Sequence, residues 1–457
     1  MSATRQISKG LVFAAAAGLA VAVTGCSSGS SDIREDGRIV IDYWEKWTNF
    51  EKEAMQRIDD YNASQDKVWV NFVSQSSLER KLLLATSGGN PPDVSGFWSY
   101  ALPSFVDMGA LQPLDYYMED AGVDGEDYVP SIYALCHYRD HTWGLPTTPA
   151  SIALHYNVDM LEEAGLDPAA DLATLDRFDA ASQALTRSGD DGKYDQMGFL
   201  PTDPGWWTPM WGMWFGDPLI SADGQELTCD SPESIAALEW FASFTKDYDY
   251  EKMRLFESAH RGQFASSSNS FMSNRMAMKL QGVWMASFIE TFGPDVKWAA
   301  APFPAGFETG GEPVTIVETD LLVIPRGAEH PREAWDFIQF VQQQRNMERL
   351  CLDQFKFSPL REVSEDFYAS HPNKEIELFR ELAESKNAFG APQIAIWTEY
   401  RDELGAAYQQ LWTNPGGSDP ETLMRQVKER LQPRLDQANR AWERVREDRL
   451  AAWSARP

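Results

Sequence analysis

The first apolar stretch of the chain is unlike any that follows. Leu11 to Val23 is an unbroken run of 13 apolar or glycine residues behind Arg5 and Lys9, and small Thr24 and Gly25 lead from it to Cys26. This order is that of a secretory signal peptide. The run is too short for the roughly 20 residues with which a helix crosses a bilayer, so it is expected to be removed, and residues 1–26 are set apart from the fold as the signal segment. Ser27 to Ser31, with Gly29, reads as a flexible tether, 27–32. Beyond it the period of the pattern alternates. Arg38 to Trp44 is β-rich; Glu51 to Tyr61 then places Ala54, Ile58 and Tyr61 at helical spacing. Val68 to Val73 alternates apolar and polar, Leu78 to Thr86 is helical, and Gly88-Gly89 stops that helix ahead of Pro91-Pro92. Strand and helix in turn predict an α/β fold on a parallel sheet. Pro232 to Phe244 predicts an amphipathic helix, Leu321 to Ile324 a short buried strand, and the chain after Arg332 is mostly helical. Asp419 to Trp453 should dock through Leu423, Val427, Leu431 and Leu435. No internal repeat is present.

Length and charge narrow the class. Without its first 26 residues the chain has 431, more than one hydrophobic core usually serves, so at least two domains are expected. Loss of Arg5 and Lys9 leaves 38 basic against 69 acidic residues. Nucleic acid and anionic lipid surfaces are poor partners for that balance. Cys136, Cys229 and Cys351 remain beside Cys26, which permits one disulfide at most and excludes a disulfide scaffold. The sequence carries no phosphate loop, nucleophile elbow or zinc helix motif. Acidic pairs such as Asp190-Asp191 are expected by chance among 69 acids and do not by themselves make a glycosidase.

Val23-Thr24-Gly25-Cys26 resembles the bacterial lipoprotein box, which implies a lipid on Cys26 and an exported chain anchored to a bacterial membrane. Five further segments, in order, resemble the extracellular solute-binding proteins of sugar-importing ABC transporters, the maltose-binding-protein class. They are Leu84 to Val94, Gly109 to Asp115, Trp143 to Pro146 continuing to Leu154–Met160 and Ala164-Gly165-Leu166, Phe271 to Gly282 with Trp284, and Ala301 to Pro304 through Ala334–Ile338. The resemblance implies a periplasmic-binding-protein type II fold, two α/β lobes with a ligand cleft and hinge between them. It sets one lobe at 33–148 plus 316–345 and the other at 149–315 plus 346–457. It implies a monomer that performs no chemistry and uses no cofactor. It would capture a carbohydrate by hinge closure and hand it to permease subunits. In this class Tyr138-Arg139-Asp140-His141 falls at a hairpin turn, which argues against reading Cys136, His137 and His141 as a metal site.

A sugar has apolar C–H faces and a rim of hydroxyls, so its site needs flat aromatics and polar side chains together. Trp206, Trp207, Trp211 and Trp214 crowd one Pro/Gly-rich segment, a candidate aromatic platform, although aromatics on such spacings also bury readily in a core. Trp44, Glu45 and Trp47 follow the first strand, and Phe97 and Trp98 follow the strand at Asp93-Val94, where α/β sheets bind ligands. Trp284 matches a position that in the class often stacks on sugar. Glu318 and Asp320 lie near an expected lobe crossing and can accept hydroxyl hydrogen bonds. Trp397 and Tyr400 could equally belong to a helix face. The competing reading is a surface glycan-active enzyme or a glycan-anchoring module without a permease.

Overall fold

The structure is a computed structural model that describes residues 33–46, 51–414 and 416–454. Cys26, the tether and Trp47 lie outside the described residues.

The first strand, Ile39–Glu45, is rich in β-branched and aromatic residues and buries Ile41 and Tyr43 on one face. The helix Glu51–Ser64 turns Ala54, Ile58 and Tyr61 inward, as their spacing predicts. The strand Val68–Ser74 returns parallel to the first, with Ile41 opposite Val70. The helix Leu78–Gly88 ends because Gly89 takes a left-handed φ of 77°, from which its N–H reaches back to the last turn. The sheet then takes in Val94–Trp98, Asp320–Val323 and Gly144–Pro146. It is not the all-parallel sheet expected. Ile39–Glu45 runs parallel to both of its neighbours, whereas Asp320–Val323 lies antiparallel to Val94–Trp98 and to Gly144–Pro146. The reason is connection: Asp320–Val323 enters this sheet directly from another one and not through a crossover helix.

The second sheet is ordered Met278–Gly282, Ala150–Asn157, Val314–Glu318, Asn387–Gly390, with Trp298–Ala301 also paired to Ala150–Asn157. Asn157 ends its strand by capping the next helix, its side chain accepting from the Met160 N–H at 3.0 Å. It also donates to Asn274 at 2.8 Å, which ties the segment Leu154–Met160 to the segment 271–282. One core lies against the first sheet, around Ile41, Val94, Leu322, Phe337 and Ile338. A larger one lies against the second, around Leu154, Phe199, Trp211, Trp214, Phe303 and Phe241. The terminal helix Pro420–Ser454 docks on that second core through Leu423, Val427, Leu431 and Leu435, all buried.

The chain passes between the sheets three times. Thr147 to Pro149 is the first passage, Thr319 alone separates the two strands of the second, and the residues after Asp353 form the third. The strand Val314–Glu318 belongs to the second sheet, while Met347, Leu350 and Cys351 pack in the first core. Cys136, Cys229 and Cys351 are each buried and free. His137 hydrogen-bonds Thr142 across the hairpin at 3.0 Å and His141 meets Asp115 of the helix Asp115–Ala121 at 3.1 Å, so both are occupied. No described helix is long and apolar enough to cross a membrane.

Candidate functional site

A cavity of about 740 Å³ opens where the two sheets meet. That size lies within the range of small-molecule sites. From the first sheet it takes Trp98, the last residue of its strand, with Ser99 and Tyr100. From the second body it takes Trp206, Trp207, Trp284 and Trp397, together with Phe264, Phe288 and Arg401. Thr148, Glu318, Thr319, Asp320, Gln354 and Lys356 supply the floor, and all of them belong to or adjoin the three passages.

The aromatic walls have definite orientations. Trp98 and Tyr100 are stacked nearly parallel, 18° apart with centroids separated by 5.9 Å. Trp207 and Trp284 face each other less closely, at 6.4 Å and 31°. The Trp284 indole donates to Gln281 at 3.1 Å, which fixes its plane. Gly282 is required beside it, because a Cβ there would fall 2.5 Å from the Trp284 ring. Trp206 stands edge-on to Phe264 at 4.7 Å and 67°.

The floor is ionic. Asp320 is buried and meets Lys46 at 3.1 Å and Lys356 at 3.3 Å. Lys356 also donates to the Thr148 carbonyl at 3.1 Å, and the Thr148 hydroxyl donates to the Asp320 carboxylate. Thr148 and Lys356, from the first and third passages, and Asp320, next to the second, therefore join a single node. Burial works against ionisation of Asp320, yet the two ammonium groups prevail and hold its carboxyl at about 2. Glu318 behaves oppositely: burial, and then the charge of Asp320, push its carboxyl up to about 7. The lysines reach the walls as well. Lys46 Nζ lies 5.1 Å from the centroid of Trp98, and Lys356 Nζ lies 5.9 Å from that of Trp284.

Of the residues expected from sequence, Trp98, Trp206, Trp207, Trp284, Glu318, Asp320 and Trp397 line this one cavity. The others fall elsewhere, for identifiable reasons. Phe97 alternates to the opposite face from Trp98 and packs on Phe105 in the core at 4.8 Å. Trp211 sits in the core of the second body among Phe199, Trp240 and Phe303, as does Trp214. Trp44 points away from the face shared by Tyr43 and Glu45 and lines none of the cavities described. Glu45 accepts a hydrogen bond from Tyr43 and borders only a small pocket behind Asp320. Gly96 leaves room for it, since a Cβ there would come within 2.5 Å of the Glu45 carboxylate. Tyr400 is fully buried and donates to the Leu219 carbonyl at 3.1 Å, away from the cavity. Tyr100, Phe264, Phe288, Lys356 and Arg401 were not anticipated. Only Tyr100 carried a signal, two residues past Trp98. A buried lysine looks like any surface lysine in a sequence.

The two-sheet plan, the triple passage and an aromatic cavity between the sheets define a protein built to bind a small solute. The chain belongs to the bacterial extracellular solute-binding proteins, whose family model matches residues 56–376. It is therefore an exported binding protein and not an enzyme. A Brucella abortus relative, described as a binding protein without a stated ligand, is 25% identical over 409 residues, 88% of this chain and 93% of its own. The maltotriose-binding protein of Pyrococcus abyssi is 22% identical over 335 residues, 72% of this chain and 68% of its own. Among solved structures, CpMnBP1 with mannobiose bound superposes with a TM-score of 0.73 at 23% identity, over 85% of this chain and 98% of that one. The fold is that of the periplasmic sugar-binding proteins, two α/β lobes of type II.

Proposed function

We propose that this protein is the substrate-binding lipoprotein of an ABC importer, taking up a mono- or oligosaccharide in the cleft and delivering it to permease subunits. The observation that carries the carbohydrate reading is the cavity itself, with aromatic faces on both lobes and a polar floor. Pyranose rings stack on such faces while their hydroxyls bond the rim. The names of the maltotriose- and mannobiose-binding proteins support the same class. On this reading Trp98 belongs to one lobe, Trp206, Trp207, Trp284 and Trp397 to the other, and Glu318 accepts hydroxyl hydrogen bonds between them. The lobe limits implied by the resemblance, 33–148 plus 316–345 against the rest, are adjusted on this reading: the sheets favour a crossing at Thr319, and the packing of Met347, Leu350 and Cys351 favours keeping the helix Gln344–Asp353 with the first lobe. The protein acts as a monomer, held at the membrane by a lipid on Cys26, which raises its concentration near the permease.

A thermal-shift screen of the mature chain against neutral mono- and oligosaccharides tests the reading, because a ligand that binds only the folded state raises the midpoint. Calorimetry should then give one site, weakened by about tenfold or more in Trp284→Ala and in Trp98→Ala. No midpoint change with any sugar would refute the carbohydrate reading. Release of reducing ends from bound glycan would favour the glycan-active enzyme instead.

A further inference from the structure

The cavity has a neighbour at Trp206. A second chamber of about 430 Å³ lies on the far side of that residue, inside the second lobe, and the two spaces share Gly205, Trp206, Pro209 and Phe264 as a common wall. We infer that this chamber is an extension of the ligand site that takes the further sugar units of a neutral oligosaccharide; the inference rests on the carbohydrate reading above.

The wall supplies the first reason. Trp206 is 46% exposed, which is unusual for the largest apolar side chain, and it stands in both spaces. An indole so placed offers a stacking surface to a ligand passing from one space to the other.

The chamber's charges supply the second. Lys279 is buried and held by Asp203 at 2.9 Å, and Arg261 pairs with Glu257 at 2.9 Å. Each cation already has its anion, so the lining asks for no charge on the ligand. Gln263 and Gln409 make no side-chain hydrogen bond to another described residue. An amide offers two donors and an acceptor, which suits hydroxyl groups that both give and take hydrogen bonds.

The third reason is Gly405. It lies within the helix Trp397–Thr413, where glycine costs about 1 kcal/mol relative to alanine. Packing does not demand it: the nearest atom to a Cβ there would be Pro209 Cγ at 3.5 Å, an ordinary contact. A side chain at 405 would instead take up room in the chamber. The glycine keeps that room open.

The test is calorimetry on the mature chain with manno- and gluco-oligosaccharides of increasing length, from the monosaccharide to the hexasaccharide. Affinity should rise with length once the first space is filled, by about tenfold in all. Gly405→Phe should remove that gain and leave the disaccharide within about twofold of wild type. Gly405→Ala should keep the gain and melt no lower than wild type, which separates obstruction from misfolding. The double variant Gln263→Ala/Gln409→Ala adds no bulk and should weaken only the longer sugars. Equal affinity for short and long members, or equal losses for both in Gly405→Phe, would overturn the extension while leaving the carbohydrate reading intact. Failure of both series to bind at any length would sink the carbohydrate reading, and the extension with it.

Discussion

Asp320→Asn keeps the shape of the side chain and the hydrogen bond from Thr148 but removes the carboxylate charge that meets both Lys46 and Lys356. The side chains of those lysines are 3% and 8% exposed, so water cannot replace the lost partner. Lys46 keeps its hydrogen bond to the Phe97 carbonyl at 3.1 Å and, as a carboxylate, the more distant Glu45 at 3.8 Å. Breaking a buried pair from one side costs roughly 3 to 5 kcal/mol. Titration gives a similar size. The Asp320 carboxyl is lowered from 3.8 to about 2, and at 1.36 kcal/mol per unit that is about 2.4 kcal/mol. Because the folded value is depressed, this stability is complete above about 3.8 and is lost as pH falls through about 2. At neutral pH the whole of it is present. The expected loss of about 3 kcal/mol corresponds to a melting temperature lower by roughly 6 to 12 °C for a lobe of this size. Differential scanning calorimetry of wild type and Asp320→Asn at pH 7 measures it. Lys356→Met should cost less, because Asp320 then keeps Lys46. If Asp320→Asn melted within about a degree of wild type, or less harmfully than Lys356→Met, the node would not hold the three passages together electrostatically.

Glu318 should show the opposite pH dependence. Its carboxyl is raised to about 7, so its contribution to stability is complete below about 4.5 and lost as pH rises through 7. Relative to Glu318→Gln, wild type should therefore lose about 2 to 3 kcal/mol between those limits in urea unfolding, and parallel pH profiles would contradict the raised value. Leu431 fixes the terminal helix to the second core and is 6% exposed. Leu431→Ala should lower stability by about 2 to 4 kcal/mol with helix content retained by circular dichroism, and a change below about 0.5 kcal/mol would mean that the helix is not docked there.

The sequence by itself determined which segments are strand and which are helix, because each period is a local property. Alternation at Val68 to Val73 and the inward row Ala54, Ile58, Tyr61 can be read without knowing their partners. It also determined the terminal helix and its docking face, since Leu423, Val427, Leu431 and Leu435 recur at its turns. The aromatic character of the site was legible for a similar reason: Trp98, Trp206, Trp207 and Trp284 stand beside strand ends or in Pro/Gly-rich loops. What the sequence could not decide is which aromatic of a crowded run faces the cleft. Phe97 and Trp98 are adjacent and chemically alike, yet one is core and the other wall, because strand alternation gives them opposite faces and only the packed sheet says which face is inside. Trp207 and Trp211 are both buried in the second core, yet only Trp207 also borders the cavity. The mixed direction of the first sheet and the node of Thr148, Asp320 and Lys356 are likewise decisions of the tertiary structure. Their members are 172 and 36 residues apart, and no local pattern pairs charges over such distances until the three passages bring them together.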